Sequence, residues 1–337
     1  MRTRIAQNAL ALAILLPLAG CTGWQSTLDV HGSSAIDLKR LIILIVSICA
    51  VVWALVMAAL IFALCRTRQA DDRPLRQDAA AERHMMLCVA AAVVATAIII
   101  GGLTFVSFTT TRGLNVARGD DLTIKVRGLQ WWWDVEYVGA TPAQHFQTAN
   151  ELHIPVGRNV RLQLEGIDVI HSFWVPSLAG KQDLIPGRPN HLIIRAEHPG
   201  VYRGQCSEFC GLQHAHMALF VIAEEPSAFE RWMHLQRENA VALPDAEIAA
   251  GEQVFLSKPC SACHTIRGTP STGTTGPDLT HVGGRKYIAA GLLETTRGSL
   301  AAWIADPQTL KPGNNMPMVP LDPDELRSVS AYLASLK

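Results

Sequence analysis

The sequence carries no net charge: 29 Lys and Arg offset 29 Asp and Glu over 337 residues. Composition therefore implies no polyelectrolyte partner, and nucleic acid is not expected. Charge of either sign is scarce, at 17% of residues, and the mean hydropathy of +0.19 is apolar for a soluble protein. Charge is missing altogether from residues 41–64, LIILIVSICAVVWALVMAALIFAL, and from residues 85–108, MMLCVAAAVVATAIIIGGLTFVSF. Each run exceeds the ~20 residues that a helix needs to cross hydrocarbon. Neither shows the polar face of a buried soluble helix. Two transmembrane helices around a short loop, 65–84, are predicted.

The N-terminus is a different apolar object. MRTRIAQNALALAILLPLAGC has an Arg-bearing start, an apolar stretch of signal-peptide length and small residues before a cysteine. Leu18-Ala19-Gly20-Cys21 resembles a bacterial lipobox, which makes residues 1–20 a lipoprotein-type signal peptide and Cys21 the lipidation site. Residue 21 then lies outside the cytoplasm, and two spans return the chain to that side. Arg66, Arg68, Arg73, Arg76 and Arg83 in the inter-span loop fit a positive-inside orientation, although Lys39 and Arg40 flank the other end. The expected localisation is the bacterial inner membrane, multi-pass, with everything after the spans on the periplasmic side and membrane lipid as a partner.

Scattered cysteines, the mark of a disulfide framework, are also lacking. Of the eight, Cys49, Cys65 and Cys88 lie in or beside the spans, and four others form two tight motifs beside His and Met. Such spacing points to metal or haem chemistry.

From 113 to 223 the chain alternates with period two: Leu122, Ile124 and Val126, then Val160, Leu162 and Leu164, then HLIIRAE at 191–197, separated by turn signals such as PVGR and PGRPN. Short strands at this spacing predict a β-sandwich or barrel. Near its end, CSEFCGLQHAHM (206–217) sets Cys206, Cys210, His214 and Met217 within twelve residues. Thiolate, imidazole and thioether form a soft set that suits copper, whereas structural zinc does not recruit Met. One copper would leave a cysteine over; two cysteines bridging two metals resolve the excess if a second His arrives from elsewhere. His216 is discounted, because an extended loop would point it away from His214.

DVIHSFWVPSLAGKQDLIPGRPN (168–190) with GVYRGQCSEFCGLQHAHM (200–217) resembles subunit II of haem–copper cytochrome c oxidases, over roughly residues 35–235. The resemblance implies a cupredoxin-like domain and a binuclear copper centre, CuA. Cys206 and Cys210 would be its bridges, His171 and His214 its terminal imidazoles, and Met217 and the carbonyl of Glu208 its weak axial ligands. It further implies Trp131, first ring of Gln130–Trp133, as the aromatic through which electrons arrive. Asp168 and Glu208 match acidic positions that resemble second-sphere contacts and contacts to magnesium at the interface with the catalytic subunit. By position in the family, Glu82 would be a proton-uptake carboxylate.

After a helical linker, 224–244, Cys260-Ser-Ala-Cys263-His264 carries the signature of covalent c-type haem, with Cys260 and Cys263 as thioether sites and His264 as proximal iron ligand. NNMPMVP (314–320) offers Met316 or Met318 as the distal ligand, which would raise the haem potential; Met316, in its Asn-Met-Pro setting, is preferred. Gly276-Pro277-Asp278-Leu279 resembles an element of c-type cytochromes, which implies a place beside the haem. A last helix is predicted from Asp322 as cap, Pro323 and Glu325, with Leu326, Val329, Tyr332 and Leu333 on its apolar face. Residues 245–337 look like an all-α class-I cytochrome c domain.

The expected architecture is thus multi-domain: an N-terminal segment, 21–112, with a two-helix transmembrane hairpin; an all-β cupredoxin-like sandwich, 113–223; a linker; and the cytochrome c domain. The whole resembles subunit II of a caa-type oxidase. That implies two Cu and one covalent haem c, an upstream donor (a cytochrome c or a quinol-oxidising complex), and haem–copper oxidase subunit I with other oxidase subunits as partners. The spans hold no histidine cluster, so oxygen reduction and proton pumping are expected in a partner. A CuA-bearing nitric oxide reductase is the alternative; a nitrous oxide reductase is disfavoured by the two spans, and a copper-delivery lipoprotein by the full ligand set plus haem.

Overall fold

The computed structural model describes residues 23–66, 79–114, 122–139, 141, 144–241 and 243–337. The lipidation site Cys21, the signal peptide and Arg68, Arg73 and Arg76 lie outside the described residues. The two uncharged runs fall within helices α1 (Ser33–Cys65) and α2 (Ala79–Gly113). Both are long and apolar enough to cross a membrane. At 1.5 Å per residue each outlasts the ~30 Å hydrocarbon layer. Their apolar side chains point outward all round, Trp53, Phe62 and Phe105 each about two-thirds exposed, as a lipid-facing helix requires. Glu82 stands exposed in the first turn of α2, where the helix dipole favours a carboxylate. Asp37–Val116 form a compact unit of their own.

The other unit begins with a strap, residues 23–36, whose Gly32 bridges to Ala196. Its sandwich has strands β1 (Leu122–Leu129), β2 (Trp132–Tyr137), β3 (Phe146–Ala149), β4 (Glu151–Pro155), β5 (Val160–Gly166), β6 (His171–Trp174), β7 (Gln182–Leu184), β8 (Asn190–Ile194), β9 (Gly200–Cys206) and β10 (Ala218–Glu224). They form two five-stranded sheets, ordered β3-β2-β1-β5-β8 and β4-β10-β9-β6-β7. β1 runs parallel to β5 in register Ile124↔Leu162 and Val126↔Leu164, so the alternating apolar residues share the inner face. The second sheet pairs β6 with β9, Phe173 opposite Cys206, which brings His171 beside the cysteine loop.

Helix α3 (Pro226–Arg237) lies in the predicted linker but is no free tether. Its Phe229 and Met233 enter the sandwich core. Its Trp232 stacks on His153 with ring centroids 3.9 Å apart. His153 itself bridges two carboxylates, Glu151 at 3.0 Å and Glu224 at 2.9 Å. Burial opposes the imidazolium, but the two carboxylates outweigh it and raise its pKa. A raised folded pKa means stabilisation fully present below the free value of about 6.5 and lost as pH climbs through the folded value. His153→Ala leaves the buried Glu151 and the half-buried Glu224 carboxylates facing each other and should cost about 3 kcal/mol. Thermal unfolding of the detergent-solubilised chain at pH 6 and pH 9 checks both points: the wild type should lose stability toward pH 9, and the variant should lack that slope.

The C-terminal fold comprises α4 (Ala246–Ser257), α5 (Cys260–Cys263), β11 (Tyr287–Ile288), β12 (Leu293–Glu294), α6 (Arg297–Ala305), α7 (Pro307–Leu310) and α8 (Pro323–Ser335). Asp245 caps α4, and Asp322 and Glu325 form a capping box at α8. α4 and α8 cross tightly at Gly251, where a Cβ would come within 2.1 Å of the Ser328 carbonyl oxygen. Only glycine permits that approach. This fold packs directly on the sandwich: Tyr287 stacks on Phe220 at 4.1 Å, and the Lys286 amide donates to Glu151 Oε2 at 2.8 Å.

Candidate metal centres

The loop after β9 and the start of β6 bring six donor atoms together. Cys206 Sγ lies 3.8 Å from Cys210 Sγ, 3.9 Å from His171 Nδ1 and 3.2 Å from the Glu208 carbonyl oxygen. Cys210 Sγ lies 3.6 Å from His214 Nδ1 and 3.8 Å from Met217 Sδ. His171, Cys206 and Cys210 by themselves form a buried group able to hold a metal ion. The cysteines are free, and their spacing is far beyond the ~2.05 Å of a disulfide. A metal with bonds to sulfur of about 2.3 Å fits between them. The donor set is soft and each half has its own imidazole, which matches a thiolate-bridged copper pair. The neighbouring Cys210 thiol and, against the opposing effect of burial, His171 hold the Cys206 pKa far below the usual thiol value.

A second layer holds His171. Its Nε2 donates to Asp168 Oδ1 at 2.8 Å, which leaves the Nδ1 lone pair facing the sulfurs. Asp168 is in turn fixed by the amides of Gln130 at 2.6 Å and Val169 at 2.7 Å. Burial would raise the Asp168 pKa, but these donors lower it. Gly128, inside β1, leaves room for the imidazole: a Cβ there would sit 2.9 Å from His171 Cδ2. A glycine within an apolar strand signals such an approach, yet only the fold shows which ring approaches. His216 lies outside the cluster for a reason other than the expected one. Residues 214–216 form a 3₁₀ turn, not an extended loop, and His216 Nδ1 contacts Gln213 Oε1 at 2.8 Å.

The haem motif faces a cavity of about 380 Å³. Cys260, Cys263, His264 and Met316 line it, among apolar walls from Phe255, Leu279, Trp303 and Leu333. His264 Nδ1 donates to the Pro277 carbonyl at 2.8 Å, so Nε2 remains available to iron. Burial pushes the His264 pKa down, favouring the neutral ligand. Gly276 lies flush against this ring, with no space for a Cβ. Met318 lies outside the cavity wall and is 59% exposed. Two free thiols, a neutral imidazole and a thioether in one apolar cavity fit a covalent c-type haem.

Residues 140–224 match the cytochrome c oxidase subunit II periplasmic domain family, and residues 248–337 match the cytochrome c family. The chain is 33% identical over 342 residues to cytochrome c oxidase subunit 2 of Alkalihalophilus pseudofirmus, covering 99% of this chain and 98% of that protein. It belongs to the cytochrome c oxidase subunit 2 family. The subunit 2 of Bacillus subtilis is 31% identical over 230 residues, 65% of this chain and 63% of that one. Among solved structures, the periplasmic domain of subunit II from Bradyrhizobium japonicum is 34% identical over 36% of this chain and 97% of its own, with a TM-score of 0.34. As a cytochrome c oxidase subunit 2, the chain is part of an oxidoreductase complex and a partner of the other oxidase subunits. Its periplasmic domain implies CuA copper and its cytochrome c domain implies haem. The apolar helices anchor it to the membrane.

The two centres share Gln130 and Trp131, which line the haem cavity and bond to the copper loop. Trp131 occupies the turn before β2. Its ring lines the haem cavity, and its Nε1 donates to the Cys210 carbonyl at 2.8 Å. Gln130 Nε2 donates to the same oxygen at 2.8 Å. Lys311, which nothing in the sequence singles out, is 2% exposed. Its Nζ donates to the carbonyls of Trp131 and His216 at 2.8 Å each and of Ala289 at 3.2 Å. Burial pushes its pKa down to about 7, and the nearby Cys210 sulfur opposes this. Three carbonyl acceptors call for three N–H donors, which only the ammonium has.

Proposed function

We propose that this chain is the electron-input subunit of a terminal respiratory oxidase, taking electrons from a donor into its own haem and passing them through CuA to the haem–copper subunit that reduces oxygen and pumps protons. Cys206, Cys210, His171, His214, Met217 and the Glu208 carbonyl would hold two copper ions; Cys260, Cys263, His264 and Met316 would hold one haem. When bound, these groups supply one-electron oxidation and reduction without an open coordination site for substrate. The position of Trp131 carries the reading, since one indole forms part of the haem cavity wall and hydrogen-bonds the copper loop. Asp168 keeps the proton on His171 Nε2, and burial of Cys206, Cys210 and Met217 excludes water from the sulfurs. The Glu208 carboxylate is left for a magnesium ion at the interface with the catalytic subunit. Two membrane crossings by α1 and α2 would leave the sandwich and haem fold on the periplasmic side.

Turnover of the purified membrane complex tests this, with a small-molecule reductant, no added cytochrome c, and oxygen or nitric oxide as acceptor. Rapid oxygen consumption is expected. Nitric oxide consumption with negligible oxygen uptake would overturn the oxidase reading and assign the chain to a nitric oxide reductase.

A further inference from the structure

Lys311 belongs to the haem-binding fold but uses two of its three donors on the backbone of the copper sandwich, at Trp131 and His216. Among the described residues no carboxylate forms an ion pair with it. A buried ammonium is costly, and an apolar side chain would serve packing as well or better. What the ammonium adds is direction, because it is satisfied only where three carbonyls converge.

The segment that follows continues the contact. The Pro312 carbonyl accepts from Gln213 Nε2 at 2.9 Å. Gly313, at φ +81°, is so close that a Cβ would lie 3.3 Å from Leu212 Cδ2 and 3.6 Å from Trp131 Cη2. A relay of hydrogen bonds then leads toward the haem cavity. The Lys311 carbonyl accepts from Asn314 Nδ2 at 2.8 Å, and Asn314 Oδ1 accepts from the Met316 amide at 2.8 Å. On the other side, the residue whose carbonyl holds Lys311 donates its indole N–H to Cys210.

We propose that Lys311 is a positioning residue that pins the Met316-bearing turn to Trp131 and the Cys210 loop, and so fixes the separation of the haem from the copper pair. This rests on the electron route proposed above and adds the element that holds its two ends in register. The same pin covers Trp131, which is only 9% exposed, and so reserves it for this chain's own haem. Without the pin, tethering alone would keep the two folds near each other at high effective concentration but in many orientations.

The test uses the intact oxidase complex with Lys311→Met and Gln213→Ala. Flash injection of one electron into the haem is followed by its optical transfer to copper, at several solvent viscosities, with both midpoint potentials recorded. Lys311→Met should leave both potentials and the Met–iron absorption unchanged, slow the transfer at least tenfold, and make it viscosity-dependent, because docking must now precede transfer. Gln213→Ala, which removes the bond to Pro312 and the contact with His216 Nδ1 but leaves Lys311 in place, should slow it less and in the same manner. An unchanged rate in Lys311→Met overturns the proposal, as does a slowed rate that tracks a shifted haem potential. If Lys311→Met does not assemble, an unchanged rate in Gln213→Ala overturns it. Absence of any haem-to-copper transfer in the wild type would instead defeat the electron route itself.

Discussion

Cys206→Ser should abolish oxygen consumption while the haem on the same chain stays reducible. Cys206 sits at the centre of the donor set, with Cys210, His171 and the Glu208 carbonyl all within 3.9 Å of its sulfur. It is also the sulfur whose ionisation the site favours. A serine hydroxyl is a hard donor that stays protonated at neutral pH, so it offers neither the charge nor the softness that copper requires. Losing an outer-sphere partner of a metal ligand costs about 10- to 100-fold; losing a bridging ligand should exceed that. His171→Ala should behave alike, since it removes a whole imidazole and leaves Asp168 without its partner. Steady-state oxygen uptake with optical monitoring of the haem separates the two effects. Normal oxygen uptake in either variant would defeat the copper assignment.

The second large effect is expected at Met316. In Met316→Ala the haem should remain attached through Cys260 and Cys263, and its midpoint potential should fall by on the order of 0.1 V or more, because thioether ligation favours the reduced iron. The Asn314 side chain positions this residue through the Met316 amide, and Gln308 Nε2 holds its carbonyl at 2.9 Å. Met318 has no place in the cavity wall. A redox titration of the variant decides, and an unchanged potential would assign the iron to Met318.

The sequence made these centres legible to different depths, for physical reasons. Four of the five side-chain copper donors lie within twelve residues of one loop, so their grouping shows without a fold. His171 is 35 residues away from Cys206 and joins them only through the pairing of β6 with β9. Period-two alternation revealed the strands because the sheets bury one face. The turn that Trp131 ends was not legible, because Gln130 and the tryptophans after it include none of the usual turn residues. The pairing of His153 with Glu151 and Glu224 was invisible, because Glu224 lies on a separate strand beside β4 and its charge reads as a solvated face. Lys311 was illegible for the same reason: a lysine before Pro-Gly is an ordinary surface residue unless another fold supplies carbonyls to bury it.

Gln130, Trp131 and Trp132 form part of the haem cavity wall, and they come from the sandwich. The haem fold is therefore not self-sufficient as a container. If residues 245–337 were expressed alone, water would reach the cofactor through the missing side. Higher local dielectric stabilises the more highly charged ferric state, so the excised fragment would be the stronger reductant of the two. Neighbouring folds in this chain set each other's thermodynamics as well as their distance.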